Sequence, residues 1–544
     1  MKCRTLAGAL SVAFALFTLL TATVAHPADL HVDARNAGKE NGSASGPYRT
    51  IGAAVNTARA GDRIKVAAGT YSENLHIRKG LTIEGGFSGA TADGYAQGSE
   101  GDFLQSDPSN HETVVRGNSR APVIFADGTI ETTIDGLVIT GGKQGIEAAG
   151  YPESRARLVV RRCRIENNGD PKTNGGGIRA KAELLVEDSV VRGNTGDRGS
   201  GIAAGPARAV ISRTIIEDNT SHGDHGGGIY AAGVIDVVGC VVRNNTAGKT
   251  AGYGWGGGMI FFNLGTKATV VDTDVRGNYA PTKGSGVFVD DGAEAALRNV
   301  LIADNRCAKE GGALYVDGDT EGHGSKVSLV NVTIAGHNCD DNGYGQAVVM
   351  ERGSSLDVVS SIFWNGSGVE TSGDGGNTLT VRYSNVRTKQ GAFPGVGNIS
   401  SDPLFVDPKT GDYRLKSAHG RWSGSQSGAQ TDCVKDSVSS PSIDTGDPEG
   451  SFEREPEPNG GRVDMGAYGN SPLAGCGPQD SLRDAVRAPS LSAPSFGSMH
   501  AGVTRGRCGC DVPGAGGVSS RWLLAFSLVG LGGFVARRKR NPSR

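Results

Sequence analysis

Three carboxylates and a set of aromatic rings carry the chemistry this sequence offers. Asp290, Asp317 and Glu351 each lie two residues beyond Phe288, Tyr315 and Val349, one per repeat of the chain. Tyr230 falls in the same column as Phe288 and Tyr315, and a long loop places Tyr253 and Trp255 beside it. Aligned carboxylates are the groups that bind a hard cation or act as general acid and base. Aligned rings are the groups that stack on sugars. Asp290, Asp317 and Glu351 are therefore the candidate catalytic residues, and Tyr230, Phe288, Tyr315 and Trp255 the candidate ligand contacts. Three acids ~5 Å apart repel one another, so they need either a cation or a raised pKa. Calcium on Asp290 and Asp317 is the cofactor that follows. The competing interpretation is that the rings cover sheet surface and the acids serve turn entrances, where Asp-Gly is favoured.

These columns exist because the chain repeats. One turn reads Cys163 to Asn168 and then Gly175-Gly-Gly-Ile178; the next reads Ser189 to Asn194 and then Gly199-Ser-Gly-Ile202. Further turns end at Asn219, Asn245, Asn278 and Asn305, with weaker copies through His337 and Asn365. Apolar residues alternate with period two, which predicts strands. Ile165, Val191, Ile216, Val242, Val275 and Ile302 share a register and should point inward. One turn cannot bury that face, but stacked turns bury a continuous column. The asparagines should satisfy backbone groups at a fixed corner, and the glycine triplets should permit a positive-φ bend. Glu166, Arg192, Glu217, Arg243 and Arg276 share an outward position and predict a charge ladder on a solvated face.

The repeat resembles the pectate-lyase-like superfamily of right-handed parallel β-helices. The opening motifs Leu30 to Asp33, Pro47 to Ile51, Ala60 to Ile64, Gly69 to Glu73 and Leu81 to Gly85 resemble it too. The resemblance implies an all-β solenoid with a short capping helix from Thr50 to Arg59, which has Thr50 as N-cap and Ile51, Ala54, Val55 and Ala58 on one face. Asp402 to Phe405, Gly411 to Leu415, Ser442 to Gly446 and Pro458 to Gly469 resemble the closing segment of surface-anchored bacterial β-helix proteins. Residues 26–474 are thus one domain. Lyases of this fold use acids with calcium and a basic residue that removes a proton; Arg352 and Lys326 are the bases within reach. Gly322-His-Gly324 with Asp290-Asp291 resembles fragments of a polygalacturonase signature, but that family's other elements are not in order. His222-Gly-Asp-His225 has metal-ligand types without a third ligand at defined spacing, so it is taken as a polar loop.

Aligning His337 with Asn305 puts Cys307 and Cys339 at one site in adjacent turns, roughly 4.8 Å apart, which suits a disulfide. Cys163 and Cys240 share a site three turns apart, about 14 Å, and should be buried thiols. Cys433 and Cys476 are a second pairing, suggested by their company alone.

With 86 glycines among 544 residues, no three-residue period and 21 prolines, the chain is not collagen-like. Fifty-five basic against 57 acidic residues leave a charge of -2, which gives no electrostatic reason to expect nucleic acid. A basic start, an apolar run from Leu6 to Leu20 and small residues to Ala25 predict a secretory signal peptide over 1–25. Residues 475–507 are a flexible linker. The tail 508–544 holds Cys508 and Cys510, a hydrophobic helix over 522–536 and a basic end, Arg537 to Arg540. It resembles the sorting tail of myxobacterial surface proteins, which implies a membrane-embedded sorting protease and a lipid on Cys508 or Cys510. A single-span anchor is the plainer alternative. Together these features predict an exported, cell-surface or outer-membrane β-helix that binds polysaccharide. A polysaccharide lyase or glycoside hydrolase acting on an acidic polysaccharide is the alternative, and an adhesive rod is a third.

Overall fold

The computed structural model describes residues 27–477, apart from 91–94, 96–98, 128–130, 151–155, 251, 309–310, 340–346, 366–370, 374–375, 390 and 423–432. The predicted signal peptide, most of the linker, the 522–536 helix and Cys508 and Cys510 lie outside these residues. No helix among the described residues is long and apolar enough to cross a membrane.

A wide sheet of 22 strands and a narrow sheet of 11 run the length of a parallel coil. The wide sheet is folded along its length, and Lys267–Arg276, Glu294–Ala303 and Lys326–Ala335 each run through the fold line as one strand. Asp272, Asn299 and Asn331 sit there with φ of 49°, 53° and 54°. Asn and Asp tolerate this left-handed conformation better than most residues, which is why they recur at the bend.

Ile165, Val191, Ile216, Val242, Val275 and Ile302 are in register and 0% exposed. At the next corner the asparagines form a buried ladder. Asn219 Nδ2 donates to Val191 O at 3.0 Å and to Asn245 Oδ1 at 2.9 Å, while Asn219 Oδ1 accepts from Asn194 N at 3.0 Å. A buried polar corner is thereby satisfied within the coil. His337 occupies the ladder position two turns beyond Asn278; burial pushes its pKa down to about 4, so the ring is neutral.

The glycine triplets do two jobs. Only the first residue needs positive φ, as at Gly226, with φ +61°. The other two allow successive turns to touch: a Cβ on Gly227 or Gly228 would lie 2.5 Å or 2.6 Å from the next turn's Gly257 or Gly258 carbonyl oxygen.

Cys307 and Cys339 are disulfide-bonded with Cα atoms 4.4 Å apart. Cys163 and Cys240 are buried free thiols, pushed up to about 12 and about 11 by desolvation. Cys476 is buried, while the side chain of Cys433 lies outside the described residues. Near the start, helix α1 (Ile51–Thr57) has Thr50 accepting from Ala53 N and buries Ile51, Ala54 and Val55 in the main core. Phe405, Tyr413, Leu415, Ile443, Met465 and Ala467 pack on the outer side of Leu301, Ala303, Ala335 and Ile362. The C-terminal segment therefore lies back along the flank of several turns.

Candidate functional site

Narrow-sheet strands Ile229–Ala231, Met259–Phe261, Val287–Val289, Leu314–Val316 and Val348–Met350 put Tyr230, Ile260, Phe288, Tyr315 and Val349 opposite one another. The column is real, but it is largely covered. Phe288 and Tyr315 are each 1% exposed, so neither offers a ring face to a ligand. They belong to a second apolar cluster that includes Ile260 and Val349 and is flanked by Tyr230, Trp255 and Phe262. Trp255 is bridged in register to His225 and Lys283 in the adjacent turns. Its ring lies 6.3 Å from Phe288, and Lys283 Nζ sits 4.8 Å above Tyr315. The accessible rings are instead half-buried Tyr230 and Trp255, with Tyr253 50% exposed and 6.0 Å from Trp255.

Two of the three carboxylates, Asp317 and Glu351, come together around Lys283, a residue outside their column. Lys283 Nζ donates to Asp317 Oδ2 at 2.9 Å and to Glu351 Oε2 at 2.8 Å. Arg352 reaches the same Asp317 oxygen at 3.0 Å. Burial would lower Lys283, but its two carboxylate partners outweigh that and hold it charged. Burial raises Asp317, with the contacts to Lys283 and Arg352 pulling the other way. Glu351, which burial alone would raise, is held below its ordinary value by Lys283. Asp290 stands apart. It is 7% exposed, and burial, then the charges of Asp291 and Asp317, push it up to about 7. The alignment could have shown Lys283, because Arg198, His225, Trp255 and Lys283 each precede the first glycine of a step.

Lysine and arginine thus hold the oxygen that a calcium ion on Asp317 would require. Among the described residues, three sets of three acidic, His or Cys ligand atoms lie within 4.8 Å of one another, and Asp290 and Asp317 belong to none. Of the two expected bases, Arg352 joins the cluster, while Lys326 lies on the wide sheet, 3.7 Å from Glu294 and largely exposed.

His225, assigned from sequence to a polar loop, is 4% exposed. Its Nδ1 donates to Asp224 Oδ1 at 2.5 Å, and Arg198 Nε donates to the same oxygen at 3.0 Å. Its ring is boxed edge-on by Trp255 at 4.7 Å and Phe262 at 5.2 Å, and Nε2 has no partner. Desolvation lowers its pKa despite Asp224, so it packs as a neutral imidazole supporting Trp255. Glu166 pairs with Arg192 at 2.8 Å and Glu217 with Arg243 at 2.6 Å, whereas Arg276 turns to Asp274. The outward charge ladder is thus a series of separate pairs.

The stacked parallel strands resemble a right-handed β-helix. A family model described as "Right handed beta helix region" matches residues 109–261, and one described as "Disaggregatase related" matches residues 375–446. The chain is similar in fold to pectate lyase Pel9A, with 14% identity, a TM-score of 0.41 and 82% of this chain and 97% of that one covered. It is also similar to the A-module of a mannuronan C-5 epimerase from Azotobacter vinelandii, with 17% identity, a TM-score of 0.35 and coverage of 62% and 94%. An alginate lyase from Paenibacillus sp. aligns at 14% identity, with a TM-score of 0.31 and coverage of 61% and 95%. Among curated proteins, none matches the sequence.

Proposed function

We propose that this chain is an exported β-helix protein that binds polysaccharide along the outer face of its narrow sheet. The observation that carries this reading is the accessible ring group Tyr230, Tyr253 and Trp255, one end of which adjoins the charged cluster of Lys283, Asp317, Glu351 and Arg352. Rings on one flank and charged hydrogen-bonding groups on the other suit a sugar chain, whose residues present apolar faces and hydroxyl edges. Surface tethering through the 508–544 tail, with Cys508 or Cys510 processed by a sorting protease, belongs to the same proposal and rests on the sequence of that tail. The test is glycan-array or affinity-gel binding with wild type and Tyr253→Ala/Trp255→Ala. Loss of binding in the variant supports this surface. Binding that survives the double substitution places the ligand elsewhere, and no binding by wild type favours a rod or adhesive role.

One observation favours catalysis as a second reading: Asp290, raised to about 7 by burial and by the neighbouring Asp291 and Asp317, is tuned as a carboxyl that can give up or take a proton. A lyase or hydrolase acting on acidic polysaccharide would then use Asp290 with Asp317 and Glu351. An unsaturated uronate product that disappears in Asp290→Ala would establish a lyase; new reducing ends without unsaturation would establish a hydrolase.

A further inference from the structure

The C-terminal segment that lies along the flank of the coil contains a group of acids away from the ring and lysine cluster of the narrow sheet. Asp444, Glu455 and Asp464 present carboxylate oxygens that lie within 4.8 Å of one another. Glu455 is 5% exposed and Asp464 1%. Backbone N–H groups satisfy part of the set. Asp464 accepts from Asp444 N at 2.9 Å and Gly475 N at 3.0 Å, and Glu455 Oε1 accepts from Asp464 N at 2.9 Å and Asn470 N at 2.6 Å. Three oxygens remain inaccessible to solvent and without any partner: Glu455 Oε2 and both oxygens of Asp444. No ion pair among the described residues reaches any of the three acids. The nearby Arg462 donates instead to Gly446 O and lies over the Tyr383 ring at 5.4 Å. Backbone closes tightly on Asp444, since a Cβ at Gly460 or Gly477 would fall 2.1 Å or 1.9 Å from its carboxylate.

Arg462 acts on Asp444 only at a distance, and burying three carboxylates together without a paired counter-charge costs many kcal/mol unless a cation is bound or the acids are protonated. Protonation would let one acid donate to a neighbouring carboxylate, whereas a single cation can contact all three side chains at once. We infer that Asp444, Glu455 and Asp464 form a divalent-cation site, selective for calcium, which locks the C-terminal segment onto the flank of the coil. The donors are all oxygen, which selects a hard ion over zinc or copper. Oxygens bound at 2.3–2.6 Å to one calcium lie up to about 5 Å apart, so carboxylate oxygens within 4.8 Å of one another can share an ion.

The consequence is mechanical. Asp464 O accepts from Asn331 Nδ2 at 2.8 Å, Gly469 O accepts from Asn299 Nδ2 at 2.5 Å, and Asp447 N donates to Ser360 Oγ at 2.9 Å. These contacts staple the acidic loops to the fold line of three successive turns. A cation shared by residues 444, 455 and 464 holds those loops in the shape that makes the staples, just upstream of the linker.

The test uses the full chain stripped of metal with chelator. Isothermal titration with calcium chloride should show one bound equivalent, a raised melting temperature and slower proteolytic cleavage within 440–477. Magnesium should compete weakly. Glu455→Gln should weaken calcium binding at least tenfold, whereas Asp290→Asn/Asp317→Asn should leave it unchanged. Absence of any calcium equivalent in the folded wild type would overturn the inference. So would calcium binding that survives Glu455→Gln but disappears in the Asp290→Asn/Asp317→Asn variant.

Discussion

Replacing Asp290 with asparagine separates a carboxyl that burial has forced towards neutrality from one that merely sits in a turn. In the folded protein Asp290 titrates at about 7, against an ordinary value of 3.8. Its folded pKa is the higher, so between these values the native state holds a proton that the unfolded chain has lost. Stability from this group is therefore present below about pH 4 and is lost as pH rises through about 7. The gap between 3.8 and about 7, at about 1.4 kcal/mol for each tenfold, comes to about 4 kcal/mol. Asparagine keeps the shape and can still accept from Asp291 N, which lies 2.9 Å from Asp290 Oδ1. The assay is urea unfolding of wild type and Asp290→Asn, followed by far-ultraviolet circular dichroism across this pH range. Other buried acids titrate in both proteins, so the difference between the two curves isolates Asp290. That difference should be near zero in acid and should grow to about 4 kcal/mol in the variant's favour at mildly alkaline pH. Parallel curves would refute the burial argument and with it the case for Asp290 as a proton-transfer group.

Other substitutions address the remaining features. Lys283→Met should cost about 3 kcal/mol in the same unfolding assay, because Asp317, 1% exposed, would keep only Arg352 as a cation and Glu351 would lose its lysine and keep the Tyr315 hydroxyl. Asn219→Ala should cost about 3 kcal/mol, since inside the coil it takes the amide donor from Val191 O, the acceptor from Asn194 N and one of the two acceptors of Asn194 Nδ2. Trp255→Ala should weaken saccharide affinity about tenfold, equal to about 1.4 kcal/mol, in an affinity-gel measurement that finds the fold intact. Cys508→Ser/Cys510→Ser should release the protein from the cell envelope into the medium, as read by fractionation.

Much of the coil was legible from the chain because its physics is one-dimensional. A residue such as Ile216 or Asn219 meets its counterparts one turn above and below, so aligning the repeats aligns the neighbours. The inward column, the asparagine corner and the register of Tyr230 with Phe288 and Tyr315 all follow from that alignment. The second job of Gly227 and Gly228 was less legible, because a glycine required by contact with the next turn looks the same in sequence as one required by φ.

Sequence alone established that the chain winds as a parallel coil, which side chains line its interior and which outward residues share a column. Periodicity encodes direction, and stacking converts direction into neighbours. The tertiary structure decided what covers each column. It placed Trp255 beside Phe288, set Lys283 over Tyr315 and between Asp317 and Glu351, and left Tyr253 in solvent. It also folded Phe405, Tyr413, Ile443 and Met465 back over Leu301 and Ile362 and gathered Asp444, Glu455 and Asp464 from separate loops. Neither arrangement has a period. Loop reach and long-range packing set burial and charge pairing, and a repeat pattern carries no information about contacts made outside the repeat.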